Sequence, residues 1–154
     1  MSGAAERLAA LGLTLPPVTA PVAAYVPAVR TGSYVYVSGQ LPVVDGKLPA
    51  TGKVGDAVSA QDAAGMARTC ALNALAAAAD AAGGLDAIVR IVKVLGFVAS
   101  APGFNGQPQV VNGASELLIE VLGEAGRHAR SAVGVAELPL DAPVEVELIA
   151  EVRD

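Results

Sequence analysis

The sequence predicts an α+β fold in which two helices cover one face of one sheet. Three observations carry that prediction. Val144-Glu-Val-Glu-Leu148 alternates apolar and acidic residues with period two, which puts the valines and the leucine on one face of a strand. Ala63, Met66, Cys70, Ala74 and Ala77 repeat at helical spacing instead. The elements follow one another as β-β(-β)-α-β-α-β-β, with no repeat and no linker composition to divide the chain.

Residues 3–11 form a short helix stopped by Gly12 and followed by Pro16-Pro17, in an N-terminal extension covering residues 1–20. Strand character begins at Val22 and continues through Ala24-Tyr25-Val26 and Val29-Arg30. Thr31-Gly-Ser33 then turns the chain into Tyr34-Val-Tyr-Val-Ser-Gly-Gln40, a hairpin pattern. Asp45-Gly46 marks a further turn. Ser59-Ala-Gln-Asp62 reads as a capping box with Asp at its fourth position, opening a helix that ends near Ala82 at Gly83-Gly84. Its small side chains allow close approach to a sheet, while Arg68, Asn73 and Asp80 lie on the exposed side. The plainest strand is Val89–Val98. After the loop Ala101–Pro108, a second amphipathic helix runs from Gln109 to Leu122 with Val110, Ala114, Leu117, Leu118 and Val121 inward. The last unit is strand, turn, strand. Arg130 lies in an apolar run, Pro139 and Pro143 bracket the turn, and Glu145 and Glu147 alternate outward. If those two strands pair, an arginine and two carboxylates approach one another on an apolar sheet, where ions need a partner or a purpose.

At 154 residues the natural reading is a single domain, which buries about 70% of its unfolded surface. Charged residues are only 16% of the chain, which hints that part of the surface is covered by other copies. A net charge of −5 with scattered basic residues argues against nucleic acid as a partner. One cysteine, Cys70, permits no internal disulfide and makes the cytoplasm the default location. One His and one Cys also exclude zinc sites built from two or more of either. There is no signal-peptide pattern and no membrane span.

Tyr34-Val-Tyr-Val-Ser-Gly-Gln-Leu-Pro42, the strand Ile91–Val98, and Arg130-Ser-Ala-Val-Gly-Val-Ala-Glu-Leu-Pro139 followed by Val144-Glu-Val-Glu147 together resemble the Rid (reactive intermediate deaminase), or YjgF-like, family over residues 21–152. The resemblance implies a chorismate-mutase-like fold with one mixed sheet. It also implies a cofactor-free, metal-free homotrimer with sites in clefts between subunits. The best-studied branch hydrolyses 2-imino or enamino acids to 2-oxo acids and ammonia, and other members are described as endoribonucleases, translation inhibitors or chaperone-like proteins. Position by position, Arg130 matches the arginine that grips the substrate carboxylate, and Glu145 matches the carboxylate that orders the hydrolytic water. Asn112 and Ser38 match a site asparagine and serine, Tyr25 a wall tyrosine, and Ala132 a site position that acts through its backbone. The sequence departs from the family at Ala23-Ala24, where Gly-Pro is usual, at Ala132, where Cys is common, and at His128, where Pro is common.

Each of these residues also has a plainer reading. Arg130 as part of an interface ion pair with Glu145 or Glu147 is one, and Ser38 and Tyr25 as ordinary strand and core residues is another. Asn112 as a helix-start residue is a third. Cys70, inside the apolar stripe, is an inert core thiol, and His128 is a structural histidine or a pH-sensitive neighbour of the site. The rivals to an enamine/imine deaminase are a non-catalytic, carboxylate-binding regulatory trimer and, with less support, an endoribonuclease.

Overall fold

The structure, a computed structural model, describes residues 2–18 and 23–154. Five strands form one mixed sheet: β1 (Ala28–Thr31), β2 (Tyr34–Gln40), β3 (Ile88–Ala99), β4 (Ala129–Val135) and β5 (Val144–Val152), in spatial order β1-β2-β5-β3-β4. The helices are α1 (Ala4–Ala10), α2 (Ala60–Ala82) and α3 (Gln107–Leu122), and α2 and α3 cover one face of the sheet. The α+β architecture and the helix-covered sheet are as the sequence predicts. The expected strand start at Val22 lies outside the described residues. Ala23–Pro27 is bent, irregular backbone, so Tyr25 is not on a strand.

One expectation fails in an informative way. The strands bearing Arg130 and Glu145 do not pair, because β3 lies between them. β3 reaches β4 through α3, and a helical crossover joins parallel neighbours, so β4 lies parallel to β3. β5 inserts antiparallel between β2 and β3. Its side chains explain the choice: Val144, Val146, Leu148, Ala150 and Val152 are all buried. By contrast, β4 (Ala-Arg-Ser-Ala-Val-Gly-Val) has no fully buried residue and suits an edge.

Local chemistry sets the helix ends. Ser59 Oγ accepts from the Asp62 N–H at 3.0 Å, and Gly83 ends α2 at φ 89 in the left-handed region. Helix α3 begins at Gln107, two residues earlier than the sequence suggests. Pro108 is tolerated there because a first-turn N–H has no helical partner to lose. The stripe Ala63, Met66, Cys70, Ala74 and Ala77 is buried as expected. Asn73 is a correction, since it is half-buried and donates to the carbonyls of Leu41 (3.0 Å) and Val43 (3.1 Å), tying that loop to α2. Helix α1 is more than a surface decoration: Ala4 and Leu8 are buried in the core, and Arg7 Nε donates to the Val121 carbonyl of α3 at 2.8 Å.

Helices α2 and α3 touch closely because position 113 is glycine. A Cβ there would run into the Ala64 carbonyl oxygen of α2. Gly113→Ala must push the helices apart and is expected to cost about 2 kcal/mol, seen as a fall of about 6 °C in Tm by calorimetry. The sheet face away from the helices carries Tyr34, Tyr36, Leu95, Phe97, Val133 and Ile149, and Tyr34 and Tyr36 are 44% and 49% exposed.

Candidate functional site

Arg130 sits on the edge strand β4 beside Val94, a core residue, so its side chain rises on the helix-covered side. There it meets α3. Nη1 donates to Asn112 Oδ1 at 2.8 Å and to Ser115 Oγ at 3.1 Å, and Nη2 reaches the Pro108 carbonyl at 3.4 Å. Every one of these acceptors is neutral. The ion pairs among the described residues are Arg30–Asp154, Lys53–Glu137, Arg68–Glu120 and Arg127–Glu124, and none involves Arg130. Among the described residues of one chain, then, Arg130 has no carboxylate partner. A guanidinium has five N–H donors, and among the described residues the three bonds leave Nε–H and one Nη2–H without a protein acceptor. The Nε/Nη2 edge of a guanidinium matches the two oxygens of a carboxylate.

Asn112 is not a capping residue, because it lies well inside α3, whose N-cap is Gly106. Ser115 belongs to no motif in the sequence, although it is three residues along from Asn112 and hence on the same helix face. His128 continues the network. Its Nδ1 lies 2.6 Å from the Gly126 carbonyl and its Nε2 2.8 Å from Ser115 Oγ. Burial, and to a lesser degree Arg130, push its pKa below the ordinary histidine value, while the bond to Gly126 opposes them.

Glu145 belongs to the opposite side of the sheet. It pairs with Phe97 of β3 between the buried Val144 and Val146, so its carboxylate projects from the face without helices. Burial first, and the neighbouring Glu147 second, raise its pKa above the usual carboxylate value. Its Oε1 lies against Gly39, at a register shift in β2 between Val37 and Gln40, and a Cβ at position 39 would overlap the carboxyl group. In the sequence, the signal for this close approach is a glycine inside a β-branched strand. Ser38 donates from Oγ to the Val26 carbonyl at 2.7 Å and pins the irregular segment that carries Tyr25, which is 55% exposed. Tyr25 and Gly39 also border a cavity of about 650 Å³ under the Thr14–Val18 segment.

Two clusters result. Arg130, Asn112, Ser115 and His128 lie at the α3–β4 edge. Glu145, Gly39, Ser38 and Tyr25 lie around the shift in β2 and its approach to β5. Ala132 pairs with Gly96 and turns its methyl against the core. Cys70 is fully buried, and desolvation foremost, then Glu145, pushes its thiol pKa up, as befits an inert core residue. Among the described residues no group of three or more His, Cys, Asp or Glu side chains is placed to hold a metal, and no helix is long and apolar enough to cross a membrane.

Residues 5–152 match the family model described as YjgF/chorismate mutase-like, putative endoribonuclease. The chain belongs to this family. Among its YjgF-like relatives, the protein TCP17 of Trypanosoma cruzi is 44% identical over 97% of this chain and 94% of its own length. A crystal structure of a protein of unknown function from Agrobacterium tumefaciens is 48% identical, covers 97% of this chain and 92% of its own, and superposes with a TM-score of 0.91. TdcF of Escherichia coli, solved with bound serine, is 31% identical over 89% of this chain and 94% of its own, with a TM-score of 0.65. The YjgF-like fold expected from the sequence is thus shown by both sequence and architecture.

Proposed function

We propose that this YjgF-like protein is a cytoplasmic, cofactor-free enamine/imine deaminase, a hydrolase acting on C–N bonds of small 2-imino or enamino acids. The observation that carries this reading is the guanidinium of Arg130, which among the described residues has three neutral acceptors, no carboxylate partner and two N–H donors to spare. A guanidinium edge fixes a substrate carboxylate at one angle, with Asn112 holding the guanidinium from behind. The serine bound to TdcF is a small amino acid with the same carboxylate, which supports that ligand class for this chain.

The second half of the chemistry is a water and a base. An imine carbon next to a carboxylate is electrophilic once its nitrogen is protonated. Water adds through its oxygen and gives its proton to Glu145. Glu145 then returns that proton to the carbinolamine nitrogen, and the C–N bond breaks with its electron pair leaving on nitrogen as ammonia. The hydroxyl oxygen becomes the 2-oxo carbonyl as its proton passes to the departing ammonia, which leaves as ammonium. A carboxylate with a raised pKa is suited to both transfers. Ser38 and Tyr25 shape the wall beside it, and Ala132, whose methyl is turned inward, contributes only backbone.

Arg130 and Glu145 project from opposite faces of one sheet, so one protomer cannot bring both to one substrate. A homotrimer in which Glu145 of one copy faces Arg130 of the next resolves this, and the open sheet face, where Tyr34, Tyr36, Leu95, Phe97, Val133 and Ile149 sit among the carboxylates of β5, supplies the surface for assembly. The test is ammonia release from freshly generated 2-iminobutyrate. Acceleration by the purified protein supports the reading. No acceleration across several imino acids, with the trimer intact and benzoate still bound, would instead leave a carboxylate-binding regulator. Gly39→Ala offers a local check: the new methyl displaces the Glu145 carboxylate, so turnover is expected to fall about tenfold or more with little change in melting temperature.

A further inference from the structure

We propose that Ser115 and His128 are positioning residues that aim the Arg130 guanidinium, and that they do so only while His128 is neutral. The inference rests on the carboxylate-site reading of Arg130 and adds two residues to it. The Gly126 carbonyl can only accept a hydrogen bond, so the proton of His128 sits on Nδ1, 2.6 Å away. Nε2 is then an acceptor and takes the Ser115 hydroxyl proton at 2.8 Å. With its proton committed to His128, Ser115 Oγ presents a lone pair to Arg130 Nη1 at 3.1 Å. Asn112 Oδ1 takes the other Nη1 proton at 2.8 Å. Together the two acceptors fix the plane of the guanidinium, while its Nε–H has no acceptor among the described residues.

Protonation of His128 reverses this order. Nε2 becomes a donor, the hydroxyl proton of Ser115 must point elsewhere, and a second cation appears beside Arg130. The other charged groups around His128 are few. Arg127 precedes it and is paired at 3.0 Å with Glu124 of the preceding turn, and Glu116 follows Ser115 on α3 and is exposed. Arg90 of β3 and Glu151 of β5 line the same surface hollow as His128 and carry opposite charges. Burial foremost lowers the ring's pKa, so it takes up a second proton at a lower pH than an ordinary histidine does.

The experiment is calorimetric titration of the full-length protein with benzoate, at neutral pH and at about pH 5. Ser115→Ala and His128→Ala are expected to bind about tenfold more weakly than the parent at neutral pH. His128→Gln, whose amide oxygen replaces Nε2 as acceptor, and Ser115→Thr, which keeps the hydroxyl, are expected to stay within about threefold. Wild-type affinity should drop on acidification relative to that of His128→Gln, since any change at Glu145 is common to both. Equal affinity in all four variants, or the same acid response in wild type and His128→Gln, overturns the positioning role. If Arg130→Ala abolishes binding while the Ser115 and His128 variants keep it, only this inference fails. If the wild type binds benzoate no better than Arg130→Ala, the carboxylate site itself fails and this inference with it.

Discussion

Arg130→Ala is expected to lose about a hundredfold in affinity for small carboxylates, and at least as much in turnover of 2-iminobutyrate. The estimate follows from two charge-assisted bonds in a fork whose remaining donors are already committed to Asn112, Ser115 and Pro108. Truncation should leave the fold in place, because β4 is an edge strand with no fully buried residue, and water can reach the acceptors that Arg130 releases. Arg130→Lys separates charge from geometry. It keeps the cation but offers no planar fork, so binding should fall by about tenfold rather than vanish. Equal losses in the lysine and alanine variants would assign everything to the fork, and no loss in either would remove Arg130 from the site. Titration with benzoate reads the first effect and ammonia release the second.

Glu145→Gln carries the other large expected effect, a fall of about 10² to 10³ in kcat with carboxylate binding retained. The two side chains are nearly isosteric, so the loss isolates proton transfer. The acid limb of the wild-type rate profile should lie above the usual carboxylate range, because burial and Glu147 both favour the protonated form. The same shift has a sign for stability. The folded state holds this proton more tightly than the unfolded chain does, so the group favours folding below the ordinary carboxylate value. That contribution is lost as the pH rises through the raised value. Glu145→Gln removes the charge, so above that range it is expected to melt higher than wild type, as seen in denaturation curves near neutrality. A more stable but inactive variant is the signature expected of a strained functional carboxylate.

Much of the architecture was legible because the relevant patterns are periodic. The buried stripe of α2, the inward face of α3 and the alternation of β5 follow directly from which side chains repeat at which spacing. Strand order was not legible in the same way. Residues 130 and 145 look like partners in a strand–turn–strand unit, yet the crossover through α3 sends β4 to the edge, and the five buried side chains of β5 claim the centre. That placement turns an expected intrachain arginine–carboxylate pair into two clusters on opposite faces. Within the first cluster, Asn112 could be carried over from the family resemblance, but Ser115 and His128 could not. Their link depends on where α3 lies across β4, and helix spacing alone ties Ser115 only to Asn112. Gly39 is similar, since its importance lies in the carboxylate that β5 lays against it across the sheet.

The central claim is that one site takes Arg130 from one copy of the chain and Glu145 from another. It is tested most directly by unfolding Arg130→Ala and Glu145→Gln together, refolding the mixture in equal amounts, and measuring ammonia release from 2-iminobutyrate. Each variant alone should be nearly inactive. If the two residues come from different copies, random assembly restores both in about a quarter of the sites, so the mixture should recover about a quarter of wild-type activity. If the site lies within one chain, no copy carries both residues, and the mixture will stay as inactive as its parts.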